Sequence, residues 1–195
     1  MKIASTLPTL CLIACLGVLP SACRTLPPLE SPPEQAENRP APPATDWASL
    51  RSKLTEALRP LPAIEIVDTG NDSLKVRIPV ADGFASGKAD MRPSLGVALD
   101  AVTPTLIAHP EVAVLVIGHT DSQGSEMYNL QLSIARAETV AESLRRRGVA
   151  LERLSADGLG EADPLVSNAS ESGRARNRRV ELLLRRMATP TPPAR

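Results

Sequence analysis

Residues 112–147 constrain the fold of this chain more than any other segment. Residues 112–117 form a continuous aliphatic run of strand length, which predicts a buried central strand. From residue 125 to residue 147 apolar side chains recur every three or four positions, which predicts a long amphipathic helix. A strand followed closely by such a helix is the repeating unit of an α/β fold.

Weaker patterns on either side of this unit complete the predicted fold. Periodicity and turn residues predict a helix capped by Asp46 and ended by Pro60, a β-hairpin of residues 63–68 and 74–78, a helix over 94–109 broken around Pro104, a strand at 154–159, a turn or short helix at 173–177 and a final strand at 180–184. Helices that alternate with strands predict a two-layer α/β sandwich on a mixed sheet, in the order βαβαβ-β.

The amino-terminal segment predicts export from the cytoplasm. All three cysteines lie within the first 23 residues, and no charge follows Lys2 there. A basic start, a short apolar stretch and small residues before Cys23 are typical of a signal peptide over residues 1–22. A retained membrane anchor is the alternative, although about 20 residues barely span a bilayer and Pro8 and Pro20 interrupt this stretch.

Residues 19–23 resemble a bacterial lipobox, with Cys23 as the lipidated residue. Pro20 departs from the usual leucine, and residues 12–15 match the motif better but leave a very short apolar region before Cys15. We favour Cys23 over Cys15 because a polar, proline-rich segment starts directly behind it; plain secretion with cleavage near the same point is the alternative. By resemblance to bacterial lipoproteins, Cys23 would carry acyl chains such as palmitate. Arg24, directly after it, implies a location in the outer membrane, with the protein facing the periplasm.

Proline divides the rest of the chain into segments. Residues 24–46 hold seven of the 19 prolines and show no apolar periodicity, which is linker composition. As an extended polyproline II helix this segment would reach about 70 Å. Residues 187–195 have a similar composition and are predicted to be a disordered tail. The predicted organisation is therefore a lipidated cysteine and linker at 23–46, a helical extension at 47–62 and a domain at 63–186.

Composition excludes several classes of function. Lys+Arg and Asp+Glu both number 22, and the chain has one Trp, one Tyr and one Phe. Neither a basic surface nor a set of stacking rings is available, so nucleic acid is not an expected partner. With two histidines, and with all its cysteines near the amino terminus, the chain offers no metal-ligand cluster. It has no glycine-rich phosphate loop either, so no cofactor is expected.

The loop after the central strand carries the strongest functional signal. Gly118 and Gly124 allow a tight backbone in which Asp121 points outward, at the carboxyl end of a strand where α/β sheets present their sites. Arg136 lies fifteen residues later, on the helix that this loop feeds. A carboxylate and a guanidinium can thus lie a few ångströms apart. His119 and Ser122 lie too close to Asp121 in one turn to form a catalytic triad with it, so no catalytic residue is predicted.

Several motifs at fixed spacing resemble the OmpA carboxy-terminal family. They are His119-Thr120-Asp121, Tyr128-Asn129, Leu132-Ser133, Arg136-Ala137, Gly158-Leu159-Gly160-Glu161 and Asn177-Arg178-Arg179-Val180-Glu181-Leu182. The resemblance spans about residues 74–184 and implies an OmpA-like α/β sandwich that binds peptidoglycan non-covalently, through the diaminopimelate of the stem peptide.

The resemblance also implies individual ligand contacts. Asp121 would take the ammonium of diaminopimelate, and Arg136 would take the carboxylate. The remaining implied contacts are Asn129 and Leu132 as pocket lining, Phe84 as an apolar wall, Arg179 as a second carboxylate contact, and Thr120 and Ser86 as donors.

Two functions follow from this combination, and neither is enzymatic. The first is a tether in which Cys23 anchors the chain in the outer membrane and the domain holds the cell wall. The second is the wall-anchoring subunit of an envelope machine, secretion-associated or stator-like, in which residues 46–78 would dock envelope protein partners. The absence of acidic residues from residues 3–23 disfavours the stator version, which needs an ion-carrying acid in a membrane helix.

Overall fold

A computed structural model describes residues 45–70, 72–80, 83–85 and 87–187. The predicted signal peptide, both candidate lipidation sites Cys15 and Cys23, and most of the predicted linker lie outside the described residues. The predicted tail beyond Met187 and the side chain of Ser86 also lie outside them.

The described segments contain four α-helices and five β-strands. In chain order these are α1 (Trp47–Leu58), β1 (Glu65–Gly70), β2 (Ser73–Pro79), α2 (Pro93–Ala108), β3 (Val112–His119), α3 (Glu126–Arg146), β4 (Leu154–Gly160), α4 (Glu171–Asn177) and β5 (Arg179–Arg186). A single 3₁₀ turn, Leu151–Arg153, precedes β4.

The five strands form one mixed sheet in the order β1-β2-β5-β3-β4. β3 and β4 pair in parallel, and the other neighbours pair antiparallel. The last strand in the sequence therefore lies at the centre, between β2 and β3. The predicted two-layer α/β sandwich on a mixed sheet is confirmed, with the hairpin β1–β2 placed before the first crossover helix.

The core lies between one face of this sheet and the helices, and it is almost entirely aliphatic. Alternate residues of the three inner strands point into it, because side chains of a strand alternate between faces. These residues are Leu74, Val76, Ile78, Val112, Val114, Val116, Val180, Leu182 and Leu184, all buried. Helix α1 adds Leu50, Leu54 and Leu58. Asp46 caps this helix as predicted, because its Oδ1 accepts a hydrogen bond from the Ser49 N–H at 3.1 Å.

The predicted break around Pro104 is wrong, since α2 continues through this residue. Proline lacks the N–H that would bond the carbonyl four residues earlier, so it disfavours helix interiors. Val102 and Leu106 flank it on the buried face of α2 and pack in the core. Burial of that face, typically about 1.5–3 kcal/mol for each large aliphatic side chain, offsets the local cost of about 3 kcal/mol.

Helix α3 packs on the sheet at two glycines of neighbouring strands, Gly118 in β3 and Gly158 in β4, which pair with each other. A Cβ atom at Gly118 would lie 2.1 Å from the Ser133 carbonyl oxygen, and one at Gly158 would lie 2.3 Å from Ser133 Oγ. Ser133 Oγ also accepts a hydrogen bond from the Gly160 N–H at 2.9 Å. The close contact fixes the height of α3 above the sheet and, with it, the position of Arg136 relative to the loop after β3.

Candidate functional site

A cavity of about 440 Å³ opens beside the carboxyl end of β3. The loop after β3, the first turns of α3, the segment before α2 and the region of α4 enclose it. The lining residues are Val80, Phe84, Ala85, Gly87, Arg92, Thr120, Asp121, Gln123, Tyr128, Asn129, Leu132, Arg136, Glu171 and Arg178. Six of the eight predicted ligand contacts are therefore brought together: Phe84, Thr120, Asp121, Asn129, Leu132 and Arg136.

The Asp121 carboxylate is held in place from two sides. Its Oδ1 accepts the backbone N–H of Gln123 at 3.1 Å, and its Oδ2 accepts a hydrogen bond from Arg178 Nη1 at 2.6 Å. Its carbonyl oxygen accepts from Asn129 Nδ2 at 3.2 Å, and the same amide donates to Glu161 at 2.6 Å. Only 9% of the Asp121 side chain is exposed, so the carboxylate faces the cavity in a fixed orientation.

Arg136 enters the cavity from α3 and is held by its inner end. Its Nε donates to the Lys88 carbonyl at 2.9 Å, and its guanidinium carbon lies 5.3 Å from the centroid of the Phe84 ring. Its terminal nitrogens form no hydrogen bond with any described residue. Burial lowers the pKa of Arg136 below its ordinary value, against the opposing effects of Tyr128 and Asp121. Arginine stays charged even so, which leaves a desolvated cation able to accept an anion.

Arg178 is a second cation in the cavity. It bridges Asp121 and Glu171, with Nη2 donating to Glu171 Oε1 at 2.8 Å. Burial alone would lower the pKa of Arg178, but these hydrogen bonds raise it above its ordinary value. Pairing with neighbouring acids is the structural role expected of Arg178, and both ion pairs are present. Arg178 also lines the cavity, next to the carboxylate of the predicted site.

The OmpA family model matches residues 83–178, which span the cavity from Phe84 to Arg178. The chain belongs to the OmpA family. This membership confirms the resemblance seen in the sequence. It also confirms the prediction that the protein is not an enzyme.

Two relatives illustrate the range of proteins that this chain is similar to. The chain is 39% identical over 118 residues to the probable lipoprotein YiaD of Escherichia coli K12, covering 60% of this chain and 54% of YiaD. It is 42% identical over 106 residues to the peptidoglycan-binding protein ArfA of Mycobacterium tuberculosis H37Rv, covering 54% of this chain and 32% of ArfA. The chain thus spans about half the length of YiaD and a third of that of ArfA.

Among solved structures, the chain is similar to the cell wall anchor of the type VI secretion system (T6SS) from Pseudomonas aeruginosa. The TM-score is 0.62 at 31% sequence identity, and the match covers 70% of this chain and 96% of that structure.

The described part of this OmpA-like protein has no helix long and apolar enough to cross a membrane. Nor do its described residues bring three histidine, cysteine or acidic side chains close enough together to hold a metal ion.

Arg179, predicted as a second carboxylate contact, lies away from the cavity. Its side chain is buried, with Nε donating to Glu181 at 2.8 Å and Nη2 lying 3.4 Å from Asp163 Oδ2. Arg178 and Arg179 are consecutive in an extended segment, so their side chains point in opposite directions. The cation that this Arg-Arg pair supplies to the cavity is therefore Arg178.

The partners of Arg179 form a separate charged cluster on the sheet face opposite the helices. Burial raises the pKa of Glu181, but hydrogen bonds from Lys75 and Arg179 outweigh it and lower that pKa to about 2. Burial, aided by Arg179, lowers the pKa of His119 to about 4. Both histidine nitrogens are buried without a hydrogen-bond partner among the described residues. This cluster contributes to the fold rather than to the cavity.

Sequence reasoning did not assign Gln123, Tyr128, Glu171 and Arg92 to the cavity. Tyr128 was part of the family pattern, and its hydroxyl donates to the Gly87 carbonyl at 3.0 Å, closing one wall. Thr120, one of the predicted donors, lines the cavity, and its buried hydroxyl has no partner among the described residues.

Proposed function

We propose that the domain binds peptidoglycan non-covalently, through the free, zwitterionic end of diaminopimelate. Asp121 takes the ammonium, and Arg136 takes the carboxylate through its two terminal nitrogens. One observation carries the proposal: a fixed carboxylate and a fixed guanidinium face the same cavity, and the outer nitrogens of that guanidinium are unpaired among the described residues. The printed name of ArfA, a peptidoglycan-binding protein, supports the ligand class.

The geometry supports recognition of both charges on one carbon atom. An ammonium and a carboxylate attached to the same carbon must meet their partners at once, so a fixed Asp121–Arg136 pair selects a ligand end that carries both charges. A lysine-type stem peptide carries the ammonium without the carboxylate. It would leave Arg136 unpaired, which costs about 1.5–3 kcal/mol for a charge-assisted contact, or roughly 10- to 100-fold in affinity.

The neighbouring residues have supporting roles in this proposal. Asn129 holds the Asp121 backbone through its amide, Phe84 and Leu132 supply apolar wall, and the free Thr120 hydroxyl offers a donor or acceptor to the ligand. Arg178 is already paired with Asp121, so the ligand ammonium joins an existing ion pair rather than an isolated carboxylate. This pairing holds Asp121 in place before the ligand arrives.

Co-sedimentation with purified diaminopimelate-type peptidoglycan tests the assignment. We expect wild type to pellet with the wall, and Asp121→Ala and Arg136→Ala to stay in the supernatant with unchanged circular dichroism. Arg176→Ala is the matched control, since this exposed arginine lies outside the cavity. Equal pelleting of wild type and both site variants would refute the assignment.

We further propose that the protein tethers the outer membrane to the wall. In this arrangement Cys23 carries the lipid, residues 24–46 span the gap and the OmpA-like domain holds the peptidoglycan. The printed name of YiaD, a probable lipoprotein, supports the anchor. Membrane attachment raises the effective concentration of the domain near the wall, so weak individual binding suffices. Mass spectrometry of the mature amino terminus tests this, and any first residue other than an acylated Cys23 contradicts it.

A second candidate function is the wall anchor of an envelope machine. The similarity to the T6SS cell wall anchor covers 70% of this chain, more than the 83–178 segment alone. Chemical crosslinking in intact cells followed by mass spectrometry separates the two candidates. A reproducible set of secretion-system proteins crosslinked through α1 (Trp47–Leu58) would favour the machine, whereas crosslinks to the wall alone would favour the tether.

A further inference from the structure

The cavity holds more positive than negative charge. Arg92, Arg136 and Arg178 line it, against the carboxylates Asp121 and Glu171. Arg178 lies between the two carboxylates, with ion-pair distances of 2.6 Å to Asp121 and 2.8 Å to Glu171. A zwitterionic ligand end adds one charge of each sign, so it leaves the excess of one cation unchanged. A second negatively charged group on the ligand would neutralise this excess positive charge.

Among the described residues that line the cavity, Arg92 is the cation whose side chain has no protein partner. Its side chain is exposed and forms no hydrogen bond or ion pair with any described residue, whereas Arg136 and Arg178 are both held by protein groups. The exposed guanidinium of Arg92 is therefore available to a ligand that occupies the cavity.

The backbone that carries Arg92 is fixed. Its N–H donates to the Gly83 carbonyl at 2.8 Å, and its carbonyl accepts from the Leu95 N–H at 3.2 Å. The adjacent Met91 pairs with Phe84, whose ring lies beneath Arg136. Arg92 is thus attached to the same wall of the cavity that orients Arg136, and its side chain starts from a defined place beside the proposed carboxylate site.

We propose that Arg92 binds a second carboxylate of the stem peptide, on a residue next to diaminopimelate. This inference rests on the proposed function. Two carboxylates flank diaminopimelate in an uncrosslinked tetrapeptide stem: the α-carboxylate of the γ-linked D-glutamate and the terminal carboxylate of D-alanine. Amidation removes either charge without changing the backbone. Arg92 would therefore make the domain discriminate between amidated and unamidated stem peptides.

The expected discrimination is modest because Arg92 is exposed. An ion pair at a solvent-exposed site changes affinity by about twofold to fivefold. Screening by salt weakens such a pair, so the ratio between the two forms should shrink as ionic strength rises. The contact of Arg136, which is buried, should depend much less on salt.

Calorimetric titration of the full chain, purified in detergent, tests the inference with three ligands. They are L-Ala-γ-D-Glu-meso-diaminopimelate-D-Ala, the same peptide amidated at the glutamate α-carboxylate, and the same peptide amidated at the D-alanine carboxyl end. We expect wild type to bind one of the amidated forms about twofold to fivefold more weakly than the unmodified peptide. The form that weakens binding identifies the carboxylate that Arg92 contacts.

Arg92→Gln should abolish that difference, while Arg176→Gln, which removes the same charge outside the cavity, should preserve it. If wild type binds all three peptides equally, or if Arg92→Gln weakens binding of all three by the same factor, the inference about Arg92 is overturned while the proposed function stands. If wild type binds none of them, the proposed function fails first.

Discussion

The guanidinium of Arg136 lies over the ring of Phe84, with its central carbon 5.3 Å from the ring centroid. The hydrogen bond from Arg136 Nε to the Lys88 carbonyl, 2.9 Å long, fixes the plane of the same group. The two contacts hold the inner side of the guanidinium and leave its outer nitrogens directed to the cavity. The arginine is thus oriented before a ligand arrives, and less conformational freedom is lost on binding.

Arg136→Lys should therefore impair binding although it conserves the charge. A lysine ammonium has neither the planar fork that grips a carboxylate with two bonds nor the flat face that stacks on Phe84. We expect diaminopimelate-type peptidoglycan to bind about tenfold more weakly or worse, with the melting temperature nearly unchanged. Titration with soluble muropeptides measures this, and wild-type affinity in the lysine variant would show that the fork is not used.

Arg179→Gln should affect stability and leave binding alone. Arg179 donates to the buried Glu181 at 2.8 Å and does not reach the cavity. Lys75 and Arg77 still contact Glu181 in this variant, so the free energy of unfolding should fall by about 1–3 kcal/mol. Urea denaturation measures the loss. The folded variant should keep the wild-type affinity for peptidoglycan, and a weakened affinity without loss of stability would restore Arg179 as a ligand contact.

His119 should make the protein less stable in mild acid. Its pKa is about 4 in the folded protein, against an ordinary 6.5, because the side chain is buried and Arg179 is near. Between pH 7 and pH 5 the unfolded chain takes up a proton that the folded chain does not. The free energy of unfolding should fall by about 2 kcal/mol over this interval from His119 alone.

His119→Gln should remove this contribution, because glutamine does not titrate. Urea denaturation at pH 7 and pH 5 gives the difference for each protein, so any general loss of stability in the variant cancels. Glu181, with a pKa of about 2 in place of 4.5, loses its stabilising effect only as the pH falls below about 4.5. The same pH dependence in wild type and variant would show that the imidazole is not responsible.

Gly118→Ala should disrupt the contact between α3 and the sheet. The added methyl would lie 2.1 Å from the Ser133 carbonyl oxygen, so α3 must shift and carry Arg136 with it. We expect unfolding to become easier by about 3 kcal/mol and peptidoglycan binding to weaken. Gly96→Ala in α2 is the matched control, since its nearest neighbour is the tip of Arg147 at 3.6 Å. If both variants are equally stable, Gly118 does not set the height of α3.

The sequence was sufficient to place Asp121 and Arg136 together because the signal is local. A strand, a glycine-bounded loop and a regular helix fix the relation between the two residues within sixteen positions. The same reasoning chose Arg179 over Arg178 as a further contact, whereas Arg178 is the one that lines the cavity. That choice depends on where α4 ends and β5 begins, and a shift of one residue turns a side chain to the opposite face.

Arg92 and Pro104 show two further limits of sequence reasoning. The position of Arg92 in the cavity comes from a pairing between Phe84 and Met91 that no periodicity indicates. The helix through Pro104 persists because its buried face packs in the core, a tertiary effect that outweighs the local preference of proline.

If Asp121 and Arg136 together bind the zwitterionic end of diaminopimelate, the domain must distinguish this residue from lysine. The most direct measurement is the dissociation constant of the wild-type domain for two muropeptides that differ only in diaminopimelate or L-lysine at the third position. We expect wild type to bind the lysine form about 10- to 100-fold more weakly and Arg136→Gln to bind both forms equally. Equal dissociation constants for the two muropeptides in wild type would show that Arg136 does not bind the diaminopimelate carboxylate.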